Sequence, residues 1–247
     1  MISRRKMILG LATYSAVLSA SRAAQSETDA AFYELTYPPF GALTEPQEFG
    51  YKAATEEQKR IARDIINGTP KGPKPIDLAQ SFVDRFYQRD PKVISQWPAP
   101  AEWNPLIKEF FDATSTPKNN DMTPWCAAFV NWCLERAGRI GSKSSSSQSF
   151  LSRYFKTVQE PQYGDLAIFS CYEKSTEKCL GIGHATFFKE KLPNGRILVV
   201  GGNQSKDGHS SIISEAKFMT GDRDVYRTIG GKYVPCTMRL NSYVRVV

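Results

Sequence analysis

Thr123-Pro124-Trp125-Cys126-Ala127 opens a segment whose apolar residues recur at helical spacing, and it sets a cysteine at the start of that segment. Thr123 is a good N-cap, and Pro124 suits the first helical position because the N–H it lacks would have no partner there. Cys126 then falls in the first turn, where backbone N–H groups and the positive end of the helix dipole favour a thiolate. Phe129, Val130, Cys133, Leu134 and Ala137 share its face at spacings of three and four, and Gly138 suits the left-handed residue that ends a helix. The pattern predicts a core helix with the thiol at its buried edge. Two readings of Cys126 follow: a nucleophile, or a small hydrophobe filling the core as free cysteine often does. Core filling suits Cys133 better, because it lies two turns further along the helix.

A thiolate nucleophile needs a base, and the chain has two histidines. His184 lies in Gly181-Ile182-Gly183-His184-Ala185-Thr186-Phe187-Phe188, which reads as a strand opened by glycines. Alternation puts His184, Thr186 and Phe188 on one face, with Ala185 and Phe187 on the other. His184 is either the base or a satisfied core histidine. His209 sits among Asp207, Gly208, Ser210 and Ser211 and reads as a solvated loop residue. A third group should hold the imidazole in one tautomer. The strand Arg196-Ile197-Leu198-Val199-Val200 turns through Gly201-Gly202 into Asn203-Gln204-Ser205 and presents Asn203 at the sheet rim. Asn203 is either that orienter or an ordinary turn residue, since Asn tolerates left-handed geometry; Gln204 is next in line for the role.

Five blocks together, D-M-T-P-W-C-A-A-F-V (121–130), N-W-C-L-E-R-A-G (131–138), G-D-L-A-I-F (164–169), G-H-A-T-F-F (183–188) and V-V-G-G-N-Q-S (199–205), resemble a bacterial family of papain-like cell-wall hydrolases, the CHAP and NlpC/P60-type cysteine amidohydrolases and endopeptidases. The resemblance spans roughly residues 77 to 247, including Asn104-Pro105 and Ile107. It implies Cys126 as nucleophile, His184 as base, Asn203 as orienter, and a peptide or amide bond of peptidoglycan as substrate. It implies no cofactor. A departure is the segment Ser170-Cys171-Tyr172 to Lys178-Cys179, where many relatives carry a plain short loop, and substrate choice is what this departure bears on. Two alternatives stand beside this reading: a cysteine peptidase or amidase acting on proteins or as an antibacterial effector, and a non-catalytic wall-binding module.

The amino terminus reads as an export signal. Arg4, Arg5 and Lys6 form a basic region, Met7 to Ala20 an apolar one, and Ser21-Arg22-Ala23 a small-x-small cleavage pattern, so residues 1–23 are expected to be removed. The apolar stretch is too short for a comfortable transmembrane span, so no stable membrane insertion is expected after removal. Ser3-Arg4-Arg5 also resembles a twin-arginine signal, and the expected location is the periplasm or outside the cell. The formal charge of +7 includes Arg4, Arg5, Lys6 and Arg22, so the mature excess is 7 − 4 = +3. That is mild, and with no basic stripe it argues against nucleic acid as a partner. Five cysteines leave an odd one after pairing, which suits one functional thiol and up to two disulfides. Cys171 and Cys179, flanking a polar loop, are the natural pair; Cys133 with Cys236 is a further possibility. No Cys-x-x-Cys or His-x-x-x-His pattern is present, so no metal site is expected.

The expected fold is α+β and papain-like, with the nucleophile at the N-terminus of a helix packed on an antiparallel sheet. Residues 24–75 read as an N-terminal arm with a short helix: Tyr37-Pro38-Pro39-Phe40-Gly41 is extended, Thr55 to Gln58 forms a capping box, and Gly68 to Pro75 is a stiff linker and boundary. The hydrolase domain takes residues 76–247. Helices are predicted through Leu78, Phe82, Val83 and Phe86, and from the Asn104 cap with Pro105 in the first position. Strands are predicted at 165–169, 183–188, 196–200 and 242–247. Trp97 and Trp103 are expected to pack under the helices, Asp165 to open a strand as a turn acid, and the serine run Ser144–Ser147 to form a flexible lip.

Overall fold

The structure is a computed structural model, and it describes residues 52–97, 102–118, 120–205, 211–229 and 232–246. The residues read as an export signal, most of the arm before residue 52, and the loop containing His209 lie outside the described residues. Among the described residues four α-helices precede the sheet: α1 (Glu56–Gly68), α2 (Pro75–Phe82, continued by a π turn over Val83–Tyr87), α3 (Pro105–Phe110) and α4 (Cys126–Arg136). Helix α1 opens on the expected capping box, with Thr55 and Gln58 satisfying each other's backbone N–H groups. Asn104 caps α3 through Leu106 N–H, with Pro105 in the first position as its sequence predicts. Ala62 of α1 belongs to the same buried cluster as α2, α3 and α4. Arg136 of α4 donates to the carbonyls of Asn67, Thr69 and Pro70, so the Pro/Gly segment read as a linker runs against the end of α4.

Seven strands follow: β1 (Lys156–Val158), β2 (Leu166–Glu173), β3 (Cys179–Leu192), β4 (Arg196–Ser205), β5 (Ser211–Met219), β6 (Arg223–Ile229) and β7 (Lys232–Arg245). They form one antiparallel sheet ordered β1-β7-β2-β3-β4-β5, with β6 also paired to β7. Helices first and an antiparallel sheet afterwards make the fold α+β, as expected. The four predicted strands are present and run longer than their apolar runs suggest, because polar residues alternate onto exposed positions.

The sheet separates two cores. On one face α4 rests on β3 and β4, and Phe82, Phe110, Trp125, Phe129 and Trp132 pack edge-to-face over Ala185, Phe187 and Val200. On the other face Ala167, Phe169, Cys171, Phe188, Phe218, Val225, Cys236 and Met238 form a second buried cluster. Phe169 on β2 and Phe218 on β5 are separated by two strands, a span of roughly 14 Å in a flat sheet, yet their ring centroids are 5.5 Å apart. The sheet therefore coils around this second core.

Candidate active site

Helix α4 begins at Cys126 itself, with Trp125 as N-cap and no side-chain cap. Thr123 and Pro124 lie ahead of the helix, so the expected cap is corrected by two residues. The physical reason is tertiary: the Trp125 indole Nε1 donates to Ser211 Oγ at 3.0 Å, and its ring lies 6.1 Å from Phe110 and 6.3 Å from Phe129. The Asn120 carboxamide oxygen meanwhile accepts from the N–H groups of Met122 and Thr123, holding that stretch in a turn. The first helical bond runs from Phe129 N–H to Trp125 C=O at 2.9 Å. Cys126 thus occupies the first helical residue, and it is 3 % exposed. The carboxyl end follows expectation. Gly138 is left-handed (φ +70°), and the N–H groups of Gly138 and Arg139 close onto Glu135 and Leu134 in a Schellman arrangement.

The turn before Cys126 hangs on a buried carboxyl that no sequence pattern singles out. Asp121 Oδ2 accepts from the backbone N–H of Trp97 and of Asn104, both at 3.0 Å. Gln96 donates to the Asp121 carbonyl at 2.9 Å, accepts from Ser211 Oγ, and bonds through its own N–H to the Ser211 carbonyl at 2.8 Å. One polar network therefore runs from Asp121 through Gln96 and Ser211 to Trp125, next to the thiol. Burial pushes the Asp121 carboxyl up to about 7 against the downward pull of those backbone N–H groups. Gly202 on β4 belongs to the same seat: a Cβ there would stand 2.3 Å from the Trp125 ring, so only glycine lets the helix start approach the strand.

His184 lies on β3. It pairs with Phe169 across β2 and β3, and its ring is 5.7 Å from Phe218, both members of the second core. Its neighbours Ala185 and Phe187 point the other way, into the core under α4. His184 therefore lies on the face of β3 opposite Ala185 and Phe187. Burial first, and then the Arg227 guanidinium, push its imidazole down to about 3, so it is neutral at physiological pH. Asn203 sits at a bulge of β4, where the register to β5 shifts between Gly201 and Gln204, and it is left-handed at φ +59°. Gln204 is fully buried between the hydroxyls of Thr186 and Ser214 and is hydrogen-bonded to both.

Two further expectations change. Cys171 is buried in the second core, whereas Cys179 is exposed and pairs with Tyr172, the next residue along β2. Successive residues face opposite sides of a strand, so the expected Cys171–Cys179 bridge is excluded by this register. Cys133 and Cys236 lie in different cores, one on each side of the sheet, and cannot pair either. The serine run is held rather than loose: Asn131 of α4 donates to Ala127 and Ser144 carbonyls and accepts from Lys143 N–H, each at 2.9 Å, and Ser146 caps the 3-10 turn Ser147–Leu151. Asp165 bonds the N–H of Gln162 and pairs with Arg245 at 2.9 Å, a turn acid at the head of β2. Trp97 and Trp103 are both buried. Among the described residues no His, Cys, Asp and Glu side chains group as metal ligands, and no helix is long and apolar enough to cross a membrane.

The model of the CHAP domain family matches residues 117–203 of this chain. The matched stretch takes in Cys126, His184 and Asn203 and stops before His209, in agreement with the family resemblance read from the sequence blocks. No curated protein and no solved structure matches the chain.

Proposed function

We propose that this chain is an exported peptidoglycan hydrolase that cleaves an amide bond, as a stem-peptide endopeptidase or an N-acetylmuramoyl-L-alanine amidase, through a Cys126–His184–Asn203 mechanism. The observation that carries the reading is the place of Cys126: the first residue of a core helix, inside the CHAP match, seated by a buried polar network that touches the preceding residue. The Cys126 sulfur attacks the amide carbonyl carbon, and backbone N–H groups of the first turn of α4, which have no helical acceptors, stabilise the oxyanion. His184 takes the thiol proton and returns it to the leaving amine; water then hydrolyses the thioester. Asn203, left-handed at the β4 bulge, is assigned as the group that orients the ring.

The burial of His184, which leaves its imidazole a weak base, favours a second reading, a wall-binding module whose catalytic unit has lapsed. Turnover decides between them. Purified peptidoglycan incubated with wild type should yield fragments carrying one new type of terminus by mass analysis, and Cys126→Ser should lower the rate by at least about 10³-fold with the thermal midpoint nearly unchanged. Binding without any new terminus in the wild type would establish the module instead.

A further inference from the structure

Cys171 and Cys236 are both completely buried in the second core, on neighbouring strands that run antiparallel. The register pairs Cys171 with Met238 and Glu173 with Cys236, which sets the two cysteines on the same face in diagonal positions. Diagonal residues in a flat sheet stand near the outer limit for a bridge, but this sheet coils tightly and β2 carries a bulge against β7 between Ile168 and Phe169. The Cys236 thiol is near enough to push the Cys171 thiol up, and burial pushes it the same way. The other three cysteines are placed apart from them: Cys126 and Cys133 in α4 on the far side of the sheet, and Cys179 on the outer face of β3.

We infer that Cys171 and Cys236 form a disulfide that ties β2 to β7 when the chain folds in the presence of a disulfide oxidant, either a dithiol–disulfide oxidoreductase or a small molecule such as oxidised glutathione. The Cys171 thiol loses its proton and attacks one sulfur of the oxidant, expelling the first thiolate. The Cys236 thiolate then attacks the Cys171 sulfur of the mixed disulfide and expels the second. Two protein thiols become one disulfide, and the oxidant's disulfide is reduced to two thiols. In the folded reduced chain the thiol of Cys171 is pushed up by the Cys236 thiol and by burial, which disfavours attack, so the exchange belongs to the folding chain. Arg227, beside Cys171 and bonded to Met238 Sδ at 3.4 Å, opposes that shift, and a disulfide there leaves no anion to hold. The reading leaves Cys126 outside the bridge, as a nucleophile or a core thiol alike.

The test is to refold the full chain in a glutathione buffer containing the oxidised form, quench, alkylate, and map peptides without reduction. A Cys171–Cys236 peptide pair is expected, with Cys126, Cys133 and Cys179 all alkylated. Dithiothreitol should then lower the thermal midpoint of the oxidised protein by ~10 °C, and should leave that of Cys171→Ala/Cys236→Ala unmoved. Alkylation of both Cys171 and Cys236 in the refolded protein, or a peptide joining Cys171 to Cys179, would overturn the inference, and the map of the wild type suffices for this if the double variant does not fold.

Discussion

Replacing Asp121 by Asn should alter how stability depends on pH. The asparagine oxygen can still accept from Trp97 and Asn104, so the network ahead of Cys126 keeps its shape while losing one titrating proton. The Asp121 carboxyl ionises at about 7 in the fold against an ordinary 3.8. Between those values the unfolded chain has released the proton and the folded chain retains it, so this group's contribution to stability falls as pH rises. The slope is about 1.4 kcal/mol per pH unit, and the whole interval amounts to about 4 kcal/mol. His184 works in the opposite sense. Its imidazole titrates at about 3 in the fold and at 6.5 ordinarily, so from pH 6.5 downward the unfolded chain takes a proton that the folded chain refuses, and stability is lost with acid. From pH 4 to 6.5 the two slopes cancel, and the wild type should show a nearly flat profile there. Asp121→Asn removes one of them, so the variant should lose about 3 kcal/mol between pH 6.5 and pH 4. Urea unfolding of both proteins at half-unit steps from pH 4 to 8 reads this directly. Parallel profiles would refute the reasoning, because they would mean that Asp121 titrates alike in the folded and unfolded chains.

His184→Ala should reduce turnover as far as loss of the thiol does, His209→Ala should leave it within about threefold, and Asn203→Ala should fall between them, as expected of an orienter. Steady-state rates on soluble peptidoglycan fragments check the order, and equal losses at the two histidines would remove His184 from the mechanism. Gly202→Ala drives a methyl group to 2.3 Å from the Trp125 ring and 3.0 Å from Phe129 Cβ, so it should cost about 1–3 kcal/mol in urea unfolding and lower turnover with it.

What was legible in the sequence was whatever local chemistry decides. The Thr55 capping box, the Asn104-Pro105 helix start, the Gly138 stop and the apolar runs of β2, β3 and β4 all appear where their residues indicate. The start of α4 was misplaced because Trp125 is held by Ser211, eighty-six positions away, and no local cap competes with that contact and the aromatic packing around it. Phe218 of β5 and Val225 of β6 carry no comparable local signal, because the second core they enter closes only when the sheet coils. The cysteine pairing failed on register. Flanking a short loop makes Cys171 and Cys179 near neighbours along the chain, but a hairpin whose pairs run Ser170–Gly183 and then Tyr172–Cys179 turns their side chains to opposite faces.

The candidate site was legible as a set of residue types and illegible as a geometry. Alternation along β3 correctly separates His184, Thr186 and Phe188 from Ala185 and Phe187, yet nothing in the pattern states which face receives α4. Apolar Ala185 and Phe187 win that face because a helix carrying Phe129 and Trp132 needs an apolar seat, and Gly202 clears room for Trp125 beside them. His184 is left with the second core, where burial and Arg227 hold it neutral. A neutral imidazole is the form a general base requires, and burial fixes that form while lowering its basicity. The seat of the Cys126 thiol is built in advance by Asp121, Gln96, Ser211 and Trp125.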